Sequence, residues 1–352
     1  MLAITYELKL KNNFMKNVLL NATICTIVLF IISCKKDSIF LQGGQIKFIK
    51  NEEPVWNGYL VAGDPSIIKD GDIYKIYYTS LVVTDTSERI VISGAKSFNG
   101  INWMPMSGAF GSETIALDTR VDNWDKHLEA NDVIKDGSEI KMFYCGYPKE
   151  NTEINTTVAH GEIGLATSID GKTFSRVQSN LILTRGSQNA MDNNALFSPT
   201  VMKEGNTYYM LYTGWCIDSC STPFIGILGA TSADGLNWTK NSDKIIAGTD
   251  SDLSWIQLLI EVDLVKGPDN IFYLFFTGEG GIGIARSNHP FGPWEIYPRP
   301  ILTKTQAWES YKVIAPTVII ENNKARMWYM GARQGFSDFA IGYAESPFPF
   351  DW

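Results

Sequence analysis

The chain has 352 residues, of which 45% are hydrophobic, 19% charged and 12% aromatic, with a formal net charge of −8. This is the composition of a globular chain with a sizeable core, and it excludes low-complexity and collagen-like classes. The acidic balance and the lack of a basic stripe exclude nucleic acid as a partner.

Residues 1–34 read as a leader. Met15-Lys16-Asn17 opens a short basic start, an apolar run follows, and Ile31-Ile32-Ser33-Cys34 closes it before Lys35-Lys36-Asp37. A basic start, a short apolar stretch and a small residue before the cut are the parts of a secretory signal. The apolar run falls short of the ~20 residues that span a bilayer. Met15 is the expected true start. The Ile-Ile-Ser-Cys ending resembles the bacterial lipobox, whose cysteine becomes the lipidated first residue. That resemblance implies a lipid on Cys34, a tether over residues 35–45, and a bacterial cell-envelope location with the membrane as partner.

From residue 46 onward one phrase recurs five times: an apolar stretch, a tight polar turn, and an aromatic stretch closing on Thr-Gly or similar. The copies are Asp64–Ser80, Ala130–Gly146, Ser198–Gly214, Glu261–Gly278 and Ala315–Gly331. A second phrase follows each: Ala95–Trp103, Ala166–Phe174, Ala230–Trp238, Ala285–Trp294 and Ala344–Trp352. The repeat is longer than the ~40–50 residues of common propeller blades, so the excess goes into loops. Each unit reads as four strands, A to D, with Asp-Gly, Glu-Gly and Asn-Asn turn signals between them. The expected fold is therefore an all-β, five-bladed β-propeller over residues 46–352. The last copy stops at Trp352 with no strand D after it. Ile46–Trp56 is similar to Phe174–Leu183 and Trp294–Leu302, so the N-terminal strand is expected to complete the last blade and close the ring.

The A–B turns are short and the B–C and D–A loops are long and varied, Pro148–His160 among them. Variable loops on a rigid scaffold are where function concentrates, and the first residue of every strand A lies on that same face. In blade order these residues are Asp64, Ala130, Ser198, Glu261 and Ala315. Blades one and four are not neighbours in a ring of five, so Asp64 and Glu261 are expected to face each other across the central channel. Two carboxyls across a pocket are the requirement for glycoside hydrolysis. Glu129, just before the blade-two start, is a third catalytic candidate. Asp132 and Asp263 stand two residues inside strand A of their blades and share its channel face. Their plainer role is hydrogen bonding within the channel or holding a water or cation there. Most of the recurring tryptophans (Trp56, Trp124, Trp255, Trp308) are expected to pack. Trp215 breaks the repeat and is the expected sugar-stacking ring. Arg333 is a loop arginine placed to grip hydroxyls. Cys145 is expected to be buried, and Cys216 with Cys220 to form a disulfide outside the cytoplasm rather than a metal site. No cofactor is expected, since His127 and His160 lack metal-ligand spacing; a central structural cation stays open.

The Gly-Asp-Pro-Ser start of blade one, the Ser-x-Asp-Gly-x-x-Trp phrases and the blade-four glutamate resemble the five-bladed glycoside hydrolases of families 43 and 32. That group includes arabinanases, xylosidases, invertases and levansucrases. The resemblance implies Asp64 as general base and Glu261 as general acid of an inverting hydrolase acting on an oligosaccharide such as an arabinofuranoside or xyloside. In that group a third carboxylate on blade three precedes a proline; here Ser198 precedes Pro199. Ser198, Asp132, Asp263, Trp215 and Arg333 are the expected substrate contacts. The alternative function is a carbohydrate-binding propeller without turnover.

Overall fold

The computed structural model describes residues 45–352, except 59, 85–86, 107–113, 149–160, 178–180, 218–219 and 334–337. Ile46–Phe350 forms one unit. The tight A–B turns begin on residues with positive φ, a conformation glycine adopts freely and asparagine tolerates. Gly71, Gly137 and Gly205 fill that place in the first three blades and Asn322 in the fifth.

Five antiparallel sheets result. Blade one holds β2 (Gly63–Asp70), β3 (Ile73–Thr84), β4 (Ser87–Ser97) and β5 (Met104–Pro105), with β6 (Ile115–Leu117) also on β4. Blade two holds β7 (His127–Asp136), β8 (Glu139–Tyr147), β9 (Glu162–Ser168) and β10 (Ser175–Arg176). Blade three holds β11 (Ala195–Glu204), β12 (Thr207–Cys216), β13 (Phe224–Ser232) and β14 (Thr239–Lys240). Blade four holds β15 (Leu259–Lys266), β16 (Phe272–Gly278), β17 (Gly281–Ser287) and β18 (Glu295–Ile296). Blade five holds β19 (Lys312–Glu321), β20 (Lys324–Ala332) and β21 (Phe339–Pro347), and its outer strand is β1 (Ile49–Lys50).

The expected closure is thus present. Ile49 pairs with Glu345 and Lys50 with Ala344. The outer strand of blades two to five is a two-residue piece followed by a single bridge: Leu183 to Ile163, Ile246 to Ile227, Leu302 to Ile282, and Trp56 to Ile341. The N-terminal segment reproduces this pattern, which explains its likeness to the other D segments.

The aromatic strands supply the core. Tyr77, Tyr78, Phe143, Tyr144, Tyr212, Phe275, Phe276, Trp328 and Tyr329 are fully buried. The recurring tryptophans pack, as expected: Trp124 stacks on Tyr144, Trp255 on Phe276 and Trp308 on Tyr329. Glycine is required where these rings lie, since a Cβ on Gly331 would fall 2.1 Å from the Trp308 ring.

Three blades carry a carboxylate–tyrosine–cation group beside the aromatic strand. Asp125 accepts from Tyr144 and pairs with Arg176, and Asp192 does the same with Tyr212 and Lys240. In blade five Glu309 accepts from the Tyr329 hydroxyl at 2.7 Å and pairs with Lys50. Both Glu309 and the Lys50 side chain are buried, at 0% and 8% exposure. The closing strand is therefore held by a buried ion pair as well as by backbone pairing. On the face away from the strand A starts, Asp70–Lys135, Asp136–Lys203, Glu204–Lys266 and Glu321–Lys69 bridge successive seams. The blade four–five seam instead carries Phe48, Tyr273, Phe275, Phe348 and Phe350 in mutual ring contact.

Cys216 and Cys220 form a disulfide and Cys145 is buried and free, in line with expectation. Among the described residues no helix is long and apolar enough to cross a membrane. The leader, Cys34 and the tether lie outside the described residues.

Candidate active site

The five residues expected to open the A strands stand second to fourth in them, and each adopts a left-handed backbone. Asp64, Ala130, Ser198, Glu261 and Ala315 have φ of 44°, 46°, 48°, 50° and 49°. In each blade the register between strands A and B shifts at this point. A bulge of this kind leaves one residue unpaired and re-aims its side chain. For non-glycine residues the conformation costs about 1–2 kcal/mol each, so five repetitions require compensation. The freed amides find it in the preceding blade. Ala130 donates to Thr79 Oγ1 at 3.2 Å, Glu261 to Thr213 Oγ1 at 3.3 Å, and Ala315 to Thr277 Oγ1 at 2.9 Å. Asp64 donates to Met330 Sδ at 3.3 Å.

The bulges surround one depression at the channel mouth. Its walls are the bulge residue of each A strand and the residue after it: Asp64-Pro65, Ala130-Asn131, Ser198-Pro199, Glu261-Val262 and Ala315-Pro316. Its empty volume is about 310 Å³, open solvent above it included. Asp64, Ser198 and Glu261 are therefore brought together.

Each mouth carboxylate is held by its own blade. Thr79 donates to Asp64 Oδ2 and Thr277 to Glu261 Oε2, both at 2.9 Å. Burial pushes the Glu261 carboxyl up to about 7, and the charge of Asp64 adds to the effect against the opposing Thr277 bond. Burial also raises Asp64, with the Glu129 charge adding and Thr79 and the Ala130 amide opposing. Burial thus lifts both carboxyls, and any charge on Asp64 favours the proton on Glu261.

Glu129 is buried beside the pair, accepting from the Tyr147 hydroxyl at 2.5 Å. It does not line the depression, but its charge acts on Asp64. Asp132 and Asp263 lie one layer below the mouth and serve as latches between blades. Asp132 accepts from Ser66 Oγ at 2.9 Å and from the Val201 amide at 2.6 Å, and Asp263 accepts from the Val318 amide at 2.6 Å. Ser66 and Thr200 make the same bond from their blades, to the amides of Val133 and Leu264. The shared position thus ties successive blades with whatever oxygen the residue offers. Burial raises Asp132 to about 6, and burial with the Asp132 charge lifts Asp263 well above the carboxylate range.

Two expected contacts lie apart from the depression. Trp215 is 3% exposed and lies edge-on to Phe197, so its ring presents no open face to a sugar. Arg333 is exposed and paired with Asp338, and it is not among the walls of the depression. The sequence reading passed over Asn131, which lines the mouth, and Thr79 and Thr277. The signal for the threonines was present in the Thr that closes the repeated aromatic phrase. Among the described residues no group of three or more His, Cys, Asp or Glu is arranged to hold a metal ion.

No family model matches the chain. Over an alignment of 115 positions, which covers 29% of this chain and 22% of the relative, it is 28% identical to an arabinoxylan arabinofuranohydrolase of Bacillus subtilis (strain 168). The fold is similar to a glycosyl hydrolase from Bacteroides ovatus, with TM-score 0.63, 14% identity, and coverage of 88% of this chain and 95% of the other. A thermostable family-43 glycoside hydrolase gives 0.58 at 18% identity, covering 80% and 88%. A xylan β-1,4-xylosidase from Bacillus halodurans C-125 gives 0.60 at 17%, covering 84% of this chain and 54% of that one. The chain thus has the five-bladed propeller fold of glycoside hydrolases, and the expected resemblance to them holds in three dimensions. At these identities the solved structures establish the fold alone.

Proposed function

We propose that this propeller is a glycoside hydrolase working at the channel mouth, with Glu261 as general acid and Asp64 as general base. The observation that carries this reading is the placement of both carboxyls in the wall of one depression, with Glu261 raised to about 7. A donor that keeps its proton near neutral pH, facing an acceptor, is the equipment for protonating a leaving oxygen while activating water. Glu129 tunes Asp64 through its charge. Inversion is the proposed outcome and needs the carboxyls about 6.5–9.5 Å apart. The partial likeness to an arabinofuranohydrolase and the fold likeness to a xylosidase favour a pentoside of a plant polysaccharide. Substrate release from nitrophenyl pentosides and arabinoxylan tests the reading. Asp64→Asn and Glu261→Gln should each lower kcat by at least ~100-fold, the scale of general acid–base catalysis. Full activity in either variant overturns the assignment. The anomer first released, followed by proton NMR, decides inversion against retention.

Ser198 at the third carboxylate position favours a second reading, a propeller that binds a glycan without cleaving it. Glycan affinity unchanged in Glu261→Gln, with no product from any substrate, would select it. The leader motif supports lipid attachment at Cys34 and a cell-envelope location. Labelled palmitate incorporated by the wild type and absent from Cys34→Ser is the expected result.

A further inference from the structure

The penultimate residue of each repeated aromatic phrase follows the residue at the mouth of the same blade. Thr79 goes with Asp64 and Thr277 with Glu261, whereas Cys145 and Met330 stand in the two blades that begin with Ala130 and Ala315. Thr213 accompanies Ser198 and serves the next blade, accepting from the Glu261 amide. A threonine hydroxyl has a single proton. Because Thr79 Oγ1 already accepts from Ala130, and Thr277 Oγ1 from Ala315, each proton is directed to the carboxylate of its own blade.

We propose that Thr79 and Thr277 are positioning residues that clamp one oxygen of Asp64 and of Glu261 and turn the other toward the bound ligand. This rests on the hydrolase reading of the mouth. Each clamp is anchored to the following blade, so the ring itself sets the aim of both acids. Fixing a flexible carboxyl in advance is the kind of preorganisation on which proton transfer depends. A donor bond to a carboxylate also favours its ionised form, so each threonine moderates the rise caused by burial. The other charged side chain that acts on the pair is Glu129 of blade two, and the Asp64 charge in turn raises Tyr147 and Cys145 of that blade.

The test is carboxyl-carbon NMR titration of the whole protein, selectively labelled at Glu or Asp, alongside pH–rate profiles. Thr277→Val should move the Glu261 midpoint upward by about one pH unit, a tenfold change in its proton affinity. The basic limb of the kcat profile should move with it, kcat falling and KM holding. Thr277→Ser should restore both. Thr200→Val, which removes a latch one layer down, should lower the melting temperature without moving the midpoint. If Thr277→Val fails to fold, Thr79→Val read at Asp64 asks the same question. An unmoved midpoint in the valine variants, or a serine variant as impaired as valine, overturns the proposal. The titration needs no substrate, so a protein without hydrolase activity but with the shifted midpoint would separate failure of the hydrolase reading from failure of the clamp.

Discussion

Replacing Glu261 with Gln should stabilise the protein in alkaline solution while abolishing the proposed turnover. Glu261 is 7% exposed, and its carboxyl rises from the ordinary 4.5 to about 7, through burial first and the Asp64 charge second. A group whose folded-state pKa lies above its unfolded value contributes fully below the unfolded value and loses that contribution as pH rises through the folded one. The loss therefore runs from about pH 4.5 to about pH 7. At about 1.4 kcal/mol per unit, the ionised acid destabilises the fold by roughly 3 kcal/mol above that window. Glutamine keeps an oxygen for the Thr277 hydroxyl and carries no charge. Glu261→Gln should then gain roughly 3 kcal/mol at pH 8, a few degrees in melting temperature, and nothing at pH 4.5. Thermal denaturation of both proteins at pH 4.5, 6 and 8 measures it. An equal difference at every pH, or a variant less stable at pH 8, would refute the reasoning, because either means the carboxyl is not ionising at an energetic penalty.

Two further outcomes follow from the latches. Lys50→Ala leaves Glu309 charged in a site with 0% exposure; breaking a buried pair from one side costs about 3–5 kcal/mol, so urea denaturation should show a loss of that order and early fraying of blade five. Asp132→Asn should lower stability by about 1–3 kcal/mol, because Ser66 and the Val201 amide both donate to the carboxylate and an amide side chain meets one of them with a donor of its own. The proposed hydrolase activity per folded molecule should survive the Asp132 change, since its carboxylate does not line the mouth.

Much of the ring was legible because a blade is a local device. Alternating apolar residues, a turn glycine and an aromatic strand specify a hairpin within about 20 residues, and repeating that unit leaves few ways to bury its faces. The closing strand was legible for the same reason: the Ile46–Trp56 segment carries the residues of a D strand, and no other blade lacked one. The rim was less so. Trp215 continues β12 with Phe197 of the paired strand edge-on to its ring, and Arg333 pairs with Asp338 five residues on; neither contact is written in the repeat.

The order of residues along the chain was enough to fix the five blades, their closure, and the equivalence of Asp64 with Glu261, since all three are properties of a repeated local pattern. Only folding in three dimensions decided what those acids experience. The left-handed bulge, the amide bonds that cross each seam, and the burial that lifts Glu261 exist because one blade is pressed against the next. The same pressing made latches of Asp132 and Asp263, which by sequence position were equally fit to touch a ligand. A carboxylate's role is set by the donors and charges around it, and for Asp132 and Asp263 these come from neighbouring blades, 55 to 69 positions away.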